Sequence, residues 1–186
     1  MSRLKKFEET TIHSETIFTG KVISLRVDDV RLPNGQTSKR ELIDHPGAVA
    51  VLAETKDQKI VLVQQYRKAL EKTLIEIPAG KLEPGEKPEV TALRELEEET
   101  GYTTKELTYV TSFYTSPGFA NEIIYLYHAT NLEKLADPPR GDDDEHIELM
   151  ELSLNDAKAY VANGRIQDAK TSYAILYLEL LRRGTE

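Results

Sequence analysis

The stretch that decides the fold reads Gly80-Lys-Leu-Glu-Pro-Gly-Glu86-Lys-Pro88-Glu-Val-Thr-Ala-Leu-Arg94-Glu95-Leu-Glu-Glu98-Glu99-Thr-Gly101-Tyr102. It predicts a helix between Pro88 and Thr100, because proline is favoured in the first turn of a helix and glycine just beyond its last residue. Gly101 stands at that second position. Apolar residues recur at helical spacing and are predicted to face a core; they are Val90, Leu93 and Leu96.

Three glutamates of this helix share one face. Glu95, Glu98 and Glu99 stand at positions i, i+3 and i+4, so their carboxylates point to the same side. Like charges at this spacing destabilise a helix by roughly 0.2–0.5 kcal/mol per pair, and the last turns of a helix favour cations. Because no lysine stands at the compensating spacing, the glutamates are predicted to bind a cation. Carboxylate oxygens in this arrangement suit Mg²⁺.

The length and composition of the chain are typical of a globular protein that has no disulfide bonds. The chain has 186 residues, of which 39% are hydrophobic, which fits one domain or one domain with a small extension. It contains no cysteine, no apolar run long enough to span a bilayer and no signal-peptide pattern at its start. A cytoplasmic protein with no membrane partner is therefore expected.

The net charge of −8 argues against a nucleic-acid partner, because nucleic-acid binding depends on basic patches that neutralise phosphates. If the substrate is itself a phosphate compound, an acidic protein needs local arginines or a metal ion between the negative charges.

Strand patterns dominate the rest of the chain. Alternating or continuous apolar residues predict strands at 21–32, 37–45, 48–53, 60–67, 107–115, 122–130 and 146–152, with a short apolar piece at 74–77. Two helices are predicted near the end, capped by Ser153 and Asp168, and the second has Tyr173, Leu176, Tyr177 and Leu180 on one face. Strands that do not alternate regularly with helices indicate an α+β fold with a mixed sheet packed by helices.

The glutamate segment resembles the Nudix box, which has the form Gly-x5-Glu-x7-Arg-Glu-apolar-x-Glu-Glu-x-Gly-apolar. Every fixed position matches: Gly80, Glu86, Arg94, Glu95, Leu96, Glu98, Glu99, Gly101 and Tyr102. The resemblance implies the Nudix fold, an α/β/α sandwich around a mixed sheet, here with an N-terminal antiparallel β extension. It also implies two parts, an N-terminal strand and dimerisation segment at 1–45 and a Nudix hydrolase domain at 46–186 with its box at 80–102.

Roles follow from this resemblance residue by residue. Glu95 and Glu99 would be metal ligands, and Glu98 a ligand or a carboxylate that orients the attacking water. Arg94 would orient the glutamates, and the carbonyl of Ala79 would supply a further metal ligand. Glu86 would hold the geometry of the loop that leads into the helix. The implied metal is Mg²⁺, with Mn²⁺ or another divalent cation possible.

Outside the box the chain resembles the bacterial ADP-ribose pyrophosphatases of the family. Pro117 lies 16 residues beyond Gly101, as in that subfamily, within a Ser116-Pro117-Gly118 turn that is followed by Glu122. Arg67 resembles an arginine that a strand end presents to the diphosphate, a task that suits its bidentate guanidinium. Arg40 and Glu41 resemble residues that reach into the partner subunit's site. The predicted substrate-binding residues are therefore Arg40, Glu41, Arg67, Ser116, Pro117, Gly118 and Glu122.

An acidic loop at 141–146 resembles the mobile catalytic loop of the subfamily. Glu145 matches a carboxylate that can complete the metal site, and Asp143 stands where a glutamate base is frequent. Aspartate is one methylene shorter, so which of the two carboxylates is the general base stays open. The catalytic residues implied are Glu98, Asp143, Glu145 and Arg94. Apolar groups near Val22, Ile23 and Phe119 are candidates to pack an adenine.

The resemblance implies Mg²⁺-dependent hydrolysis of ADP-ribose to AMP and ribose 5-phosphate by a homodimer with shared active sites. Other nucleoside diphosphate derivatives remain open as substrates, among them nucleotide sugars, dinucleoside polyphosphates and NADH. A non-catalytic module that binds ADP-ribose is a less favoured alternative, because such modules typically lose box glutamates. A phosphate-binding P-loop is excluded, since Glu86-Lys87-Pro88 stands where that motif requires Lys and then Ser or Thr.

Overall fold

The structure is a computed structural model that describes residues 6–139, 141 and 146–184. The chain divides into two compact units. Unit 1 comprises Met1–Gly47 and Tyr114–Ile123, and unit 2 comprises Ala48–Phe113 and Ile124–Glu186.

Unit 1 contains a three-stranded antiparallel sheet in the order β1-β2-β3, formed by β1 (Thr10–Thr19), β2 (Ser24–Arg31) and β3 (Thr37–Asp44). The turn between β2 and β3 contains Gly35, whose φ of 86° favours glycine. The pairing of β1 with β2 shifts register between Thr11 and His13 and again between Thr16 and Phe18. Ile12 and Ile17 are thus extra residues at two β-bulges, and every residue of β1 is exposed.

Unit 2 consists of the remaining strands and the helices of the described chain. They are β4 (Ala48–Glu54), β5 (Lys59–Arg67), β6 (Lys72–Glu76), β7 (Ala79–Lys81), α1 (Pro88–Thr100), β8 (Tyr102–Thr103), β9 (Glu106–Tyr114), β10 (Ile123–Thr130), β11 (Glu133–Lys134), β12 (Ile147–Ser153), α2 (Leu154–Ala162) and α3 (Ala169–Arg183). The main sheet has the order β12-β5-β4-β10-β9, with β6 beside β5 and β7 beside β4, and β8 pairs with β11. Because β10 is parallel to β4 whereas β12 is antiparallel to β5, the sheet is mixed.

The core of unit 2 lies on both faces of this sheet. Successive side chains of β4 point to opposite faces, as they must in a strand. Val49 and Val51 pack in one apolar cluster with Leu96 of α1, and Leu52 packs in the other with Ile175 of α3. The sheet therefore lies between α1 on one face and α2 with α3 on the other, which confirms the predicted α+β class and α/β/α sandwich.

One prediction about a helix face was wrong. Val90 is 52% exposed and does not face the core; α1 instead buries Thr91, Ala92, Leu96, Glu99 and Thr100. In α3, Leu176 and Leu180 are exposed, and the buried residues are Lys170, Thr171, Ala174, Ile175 and Leu178. Both helices thus bury polar side chains, which an apolar pattern does not reveal. None of the helices in the described part of the chain is long and apolar enough to cross a membrane.

The predicted helix caps are present. The hydroxyl of Ser153 accepts a hydrogen bond from the backbone N–H of Asp156 at 3.1 Å, and α2 begins after it. The carboxylate of Asp168 accepts from the N–H of Thr171 at 3.0 Å at the start of α3. Each cap satisfies a backbone donor that the first helical turn leaves without a partner.

The buried side chain of His128 predicts that the protein is less stable in mild acid. Burial lowers the pKa of His128 below its ordinary value, against the opposing charge of Glu54, and among the described residues its Nε2 has no hydrogen-bond partner. A histidine whose folded pKa lies below its unfolded pKa binds fewer protons when folded, so stability falls as pH decreases through the unfolded pKa near 6.5. We expect the free energy of unfolding in urea to decrease between about pH 7.5 and about pH 5.5, and His128→Gln to show a smaller decrease. An equal decrease in both proteins would contradict this.

Candidate functional site

Helix α1 begins and ends where its sequence dictates. Pro88 stands at its first position after Lys87, which contributes no side-chain cap. Gly101 ends it in the left-handed conformation, with φ of 69°, and donates its N–H to the carbonyl of Glu97. This conformation is strained for other residues, so glycine at this position fixes the end of the helix. The predicted bounds of the helix are confirmed.

Arg94 contacts three carboxylates of the box, those of Glu86, Glu95 and Glu98. Its Nη1 donates to Glu95 Oε1 at 2.8 Å and to Glu98 Oε2 at 3.0 Å, and its Nη2 donates to Glu86 Oε2 at 3.1 Å. The hydroxyl of Thr91 also donates to Glu86, at 2.8 Å. The hydrogen bond from Arg94 lowers the pKa of Glu86, and the same bond raises the pKa of Arg94. Arg94 therefore holds Glu95 and Glu98 in fixed rotamers, while Glu86 anchors Arg94 to the preceding loop.

Strand β7 brings backbone against two of these glutamates. The N–H of Ala79 donates to Glu99 Oε2 at 2.9 Å, and Glu99 is buried. A Cβ built on Gly80 would lie 1.9, 2.0 and 2.3 Å from the three carboxyl atoms of Glu95. Glu95 therefore occupies the space that a side chain at position 80 would take. Glycine is required here to let the carboxylate lie against the strand.

This donor set suits a hard divalent cation. Glu95, Glu98 and Glu99 supply carboxylate oxygens: the guanidinium of Arg94 joins Glu95 and Glu98, and Glu99 lies against the N–H of Ala79. Magnesium prefers such oxygen ligands. Across residues 6–139, 141 and 146–184, no group of three or more acidic or histidine side chains is close enough to hold a metal ion as it stands. The remaining predicted ligand, Glu145, lies outside the described residues, as does Asp143.

Arg67 lies at the end of β5 and is held by Glu76. Its Nε donates to Glu76 Oε1 at 2.8 Å and its Nη2 to Glu76 Oε2 at 2.9 Å. The hydrogen bonds with Glu76 raise the pKa of Arg67, and the charge of Glu99 acts in the same direction. Arg67 is therefore close enough to the glutamate helix to be influenced by its charge.

Sequence reasoning missed Glu76 and Lys170. Glu76 is only 2% exposed and lies between Arg67 and the ammonium of Lys170, which also contacts Asp168 at 3.1 Å. Burial alone would raise the pKa of Glu76, but these hydrogen bonds and charges lower it to about 2. Lys170 is 94 residues away from Glu76 along the chain, so no local pattern indicates the pair.

The remaining predicted substrate-binding residues belong to unit 1. Arg40 forms a bidentate ion pair with Glu9, at 2.9 and 2.6 Å, and Glu41 beside it is exposed. The side chain of Glu122 accepts from the hydroxyl of Thr115 and lies 3.7 Å from His45 Nε2.

The Ser116-Pro117-Gly118 turn of unit 1 is anchored to the end of β3. The carbonyl of Ser116 accepts from the N–H of Ala120 at 2.9 Å, and the N–H of Ile43 donates to the carbonyl of Phe119 at 2.7 Å. Pro117 and Gly118 are exposed. Val22 and Ile23 line an open pocket of about 360 Å³ together with Asp44 and His45. Phe119, the third residue considered for an adenine, is exposed.

Models of two protein families match the chain. A model of the NUDIX domain matches residues 44–173, and a model of the nucleoside diphosphate sugar hydrolase N-terminal domain matches residues 9–43. The chain is 59% identical over 177 residues to an ADP-ribose pyrophosphatase of Bacillus subtilis (strain 168), covering 95% of this chain and 96% of that protein. It is also 59% identical over 176 residues to a methanol dehydrogenase activator of Bacillus methanolicus, covering 95% of each.

One solved structure, described as an ADP compounds hydrolase, superposes with a TM-score of 0.84 over 96% of each chain. At 20% identity this likeness concerns the fold alone.

Proposed function

The chain belongs to the Nudix family of hydrolases, and we propose that it splits the diphosphate of ADP-ribose to give AMP and ribose 5-phosphate. The observation that carries the proposal is the set of box carboxylates: Arg94 joins Glu95 and Glu98, and Glu99 accepts a hydrogen bond from the N–H of Ala79. The charge of Glu99 contributes to the raised pKa of Arg67, after the hydrogen bonds and charge of Glu76. This arrangement supplies cation ligands beside an arginine suited to phosphate. The relative named ADP-ribose pyrophosphatase supports the choice of substrate.

Hydrolases of this family generally need a divalent cation. We propose Mg²⁺, with Mn²⁺ as the alternative, held by Glu95, Glu98, Glu99, Glu145 and the carbonyl of Ala79. When bound, the metal would neutralise charge on the diphosphate and lower the pKa of a bound water.

Residues of the protein would orient the metal ligands, bind the phosphate and accept a proton. Arg94 orients Glu95 and Glu98, and Arg67 donates hydrogen bonds to phosphate oxygens. Asp143 or Glu145 would accept the proton of the attacking water.

Product analysis tests this function directly. Purified protein is incubated with ADP-ribose and with a panel of nucleotide sugars, dinucleoside polyphosphates and NADH, each with Mg²⁺ and with chelator. AMP and ribose 5-phosphate should form fastest from ADP-ribose and only with metal. Faster cleavage of a nucleotide sugar would show that ADP-ribose is not the preferred substrate, while the metal-dependent hydrolysis of a diphosphate would stand. Nucleotide sugars are the main competing substrates, because residues 9–43 match a model of the nucleoside diphosphate sugar hydrolase N-terminal domain. Binding of ADP-ribose without cleavage would contradict the proposal that the protein is an enzyme.

A second candidate function comes from the methanol dehydrogenase activator, to which the chain is as similar as it is to the pyrophosphatase. Under this reading the protein raises the activity of an alcohol dehydrogenase. The test adds the protein to such a dehydrogenase and measures the rate of alcohol oxidation. An increase would support the second function, and an unchanged rate at equimolar protein would count against it.

We also propose that the protein acts as a homodimer through an N-terminal segment at 1–45, beside a hydrolase domain at 46–186. Among the described residues, strand β1 pairs with β2 alone, so its outer edge is open to a partner. Ile12, Ile17 and Phe18 on this strand are all more than half exposed. Exposed apolar residues grouped on one strand favour a protein partner, and a second copy is the simplest one. Arg40 and Glu41 of one subunit would then serve the active site of the other, while Ser116, Pro117, Gly118 and Glu122 contribute to substrate binding.

Mixing two inactive variants tests the shared site. Arg40→Ala and Glu99→Gln should each have little activity alone. After subunit exchange, half of the dimers carry one variant of each kind, and one of their two sites has both residues intact. Activity should then recover to about a quarter of the wild-type value. No recovery in a sample that native mass spectrometry shows to contain mixed dimers would contradict shared sites, and a monomer in sedimentation would contradict the dimer.

A further inference from the structure

A buried ion cluster links α3 to the arginine proposed to bind phosphate. Glu76 is 2% exposed and Lys170 is 7% exposed, and each is surrounded by protein on all sides. Burying charges costs several kcal/mol per ion, and replacing such pairs with apolar residues of similar size is often neutral or stabilising. A buried ion pair is therefore weak support for a role in stability. The other contribution that such a cluster makes is to fix the direction of its members.

The geometry fixes the direction of Arg67. Both oxygens of Glu76 accept from one side of the guanidinium, through Nε and Nη2, which holds the two planar groups together. Within the described residues, the other terminal nitrogen, Nη1, makes no hydrogen bond, and the Arg67 side chain is 40% exposed. Nη1 therefore keeps donors for a ligand.

Lys170 fixes Glu76 in turn. Its ammonium donates to Oε2 of Glu76, the same oxygen that accepts from Arg67 Nη2. Lys170 also contacts Asp168, which caps α3, at 3.1 Å. The hydroxyl of Thr171 accepts from the N–H of Ile77 at 2.9 Å, so the first turn of α3 also holds the backbone next to Glu76. Without Lys170, the carboxylate of Glu76 could turn together with the guanidinium of Arg67.

We propose that Lys170, acting through Glu76, is a positioning residue that aims Nη1 of Arg67 at a phosphate oxygen of the diphosphate substrate. The inference rests on the proposed function, in which Arg67 binds that diphosphate. Neither Lys170 nor Glu76 touches the substrate. Their effect is on substrate binding. A guanidinium that is free to turn must lose conformational entropy when it donates a hydrogen bond to phosphate, and this cost weakens binding.

The test compares Lys170→Met, Lys170→Arg and Arg67→Met. Lys170→Met should raise KM about tenfold, the size expected for disordering one charge-assisted hydrogen bond, and change kcat less than about twofold. Lys170→Arg should have a KM close to the wild-type value, because arginine keeps the positive charge beside Glu76. In the Arg67→Met background, Lys170→Met should have no further effect on KM, because the residue that it positions is gone. Glu76→Gln, if it folds, should behave like Lys170→Met.

A matched control is Lys158→Met, which removes a lysine that pairs with Glu179 between α2 and α3. It should leave KM unchanged. An unchanged KM in Lys170→Met, or an equal increase in the Arg67→Met background, would overturn the positioning role. Failure of the proposed function is recognised separately, since the wild-type protein would then not cleave ADP-ribose. In that case the KM of each variant is compared with the wild-type KM for whichever diphosphate the protein does cleave.

Discussion

Replacing Glu99 with glutamine should lower the turnover of ADP-ribose by roughly 10³-fold, because the loss of a metal-binding carboxylate removes several kcal/mol of charge stabilisation. The fold should survive. Glutamine has the same shape, and its amide oxygen can still accept the hydrogen bond that Glu99 accepts from the N–H of Ala79. The measurement is kcat with ADP-ribose at saturating Mg²⁺, together with a thermal unfolding curve for both proteins.

A control for this variant is available on the same helix. Glu97→Gln makes the same chemical change at a residue whose carboxylate accepts from the hydroxyl of Thr103 at 2.6 Å and forms no contact with Arg94. It should retain wild-type turnover. Near-normal turnover of Glu99→Gln would remove Glu99 from the metal site, and an equal loss in Glu97→Gln would show that helix charge alone causes the effect.

The second large effect is expected from Gly80→Ala. The added Cβ would lie 1.9–2.3 Å from the carboxyl group of Glu95, so Glu95 must move. Since Gly80 has no positive φ, alanine does not strain the backbone. The displaced group is the end of a flexible side chain, so the fold should be little affected, while a displaced ligand should lower kcat by roughly 10²-fold. Activity assays and the unfolding midpoint of the same samples measure the two effects.

Gly184→Ala is the matched control, because its Cβ would meet backbone oxygens only at 3.6 and 3.7 Å and its φ is negative. Neither its turnover nor its stability should change. A Gly80→Ala variant with full activity would show that Glu95 can bind the metal from another rotamer. A variant that is unfolded would show that the tight contact supports the fold instead.

The helix of the box could be predicted to the residue because its signals are local. Pro88 and Gly101 act on the backbone of their own segment, and Glu86 and Arg94 meet across one loop. Strand β1 was not predicted. Its apolar residues Ile12, Ile17 and Phe18 do not alternate, since the bulges insert a residue twice and break the period of two.

The parts of the site that sequence did not indicate depend on distant pairings. In the sequence, Glu76 is an acidic residue on a strand and Lys170 is a lysine on a helix, and nothing nearby links them. The packing of α3 against β6 brings them together. The partner of Arg40 is likewise distant, since Glu9 lies 31 residues earlier in the chain. The direction of Val90 could not be derived either. The buried stripe of α1 includes Thr91 and Glu99, which a hydrophobic pattern assigns to solvent.

The bulges of β1 also bear on aggregation. A flat, regular edge strand is a template to which further strands can add without limit. In β1 the ladder is interrupted at Ile12 and again at Ile17, which increases the local twist and spoils the even spacing of donors and acceptors along the outer edge. Regular addition of further strands at this edge is therefore disfavoured, although the apolar side chains of β1 are exposed. Contact between two molecules can use those side chains without opening a route to fibrils.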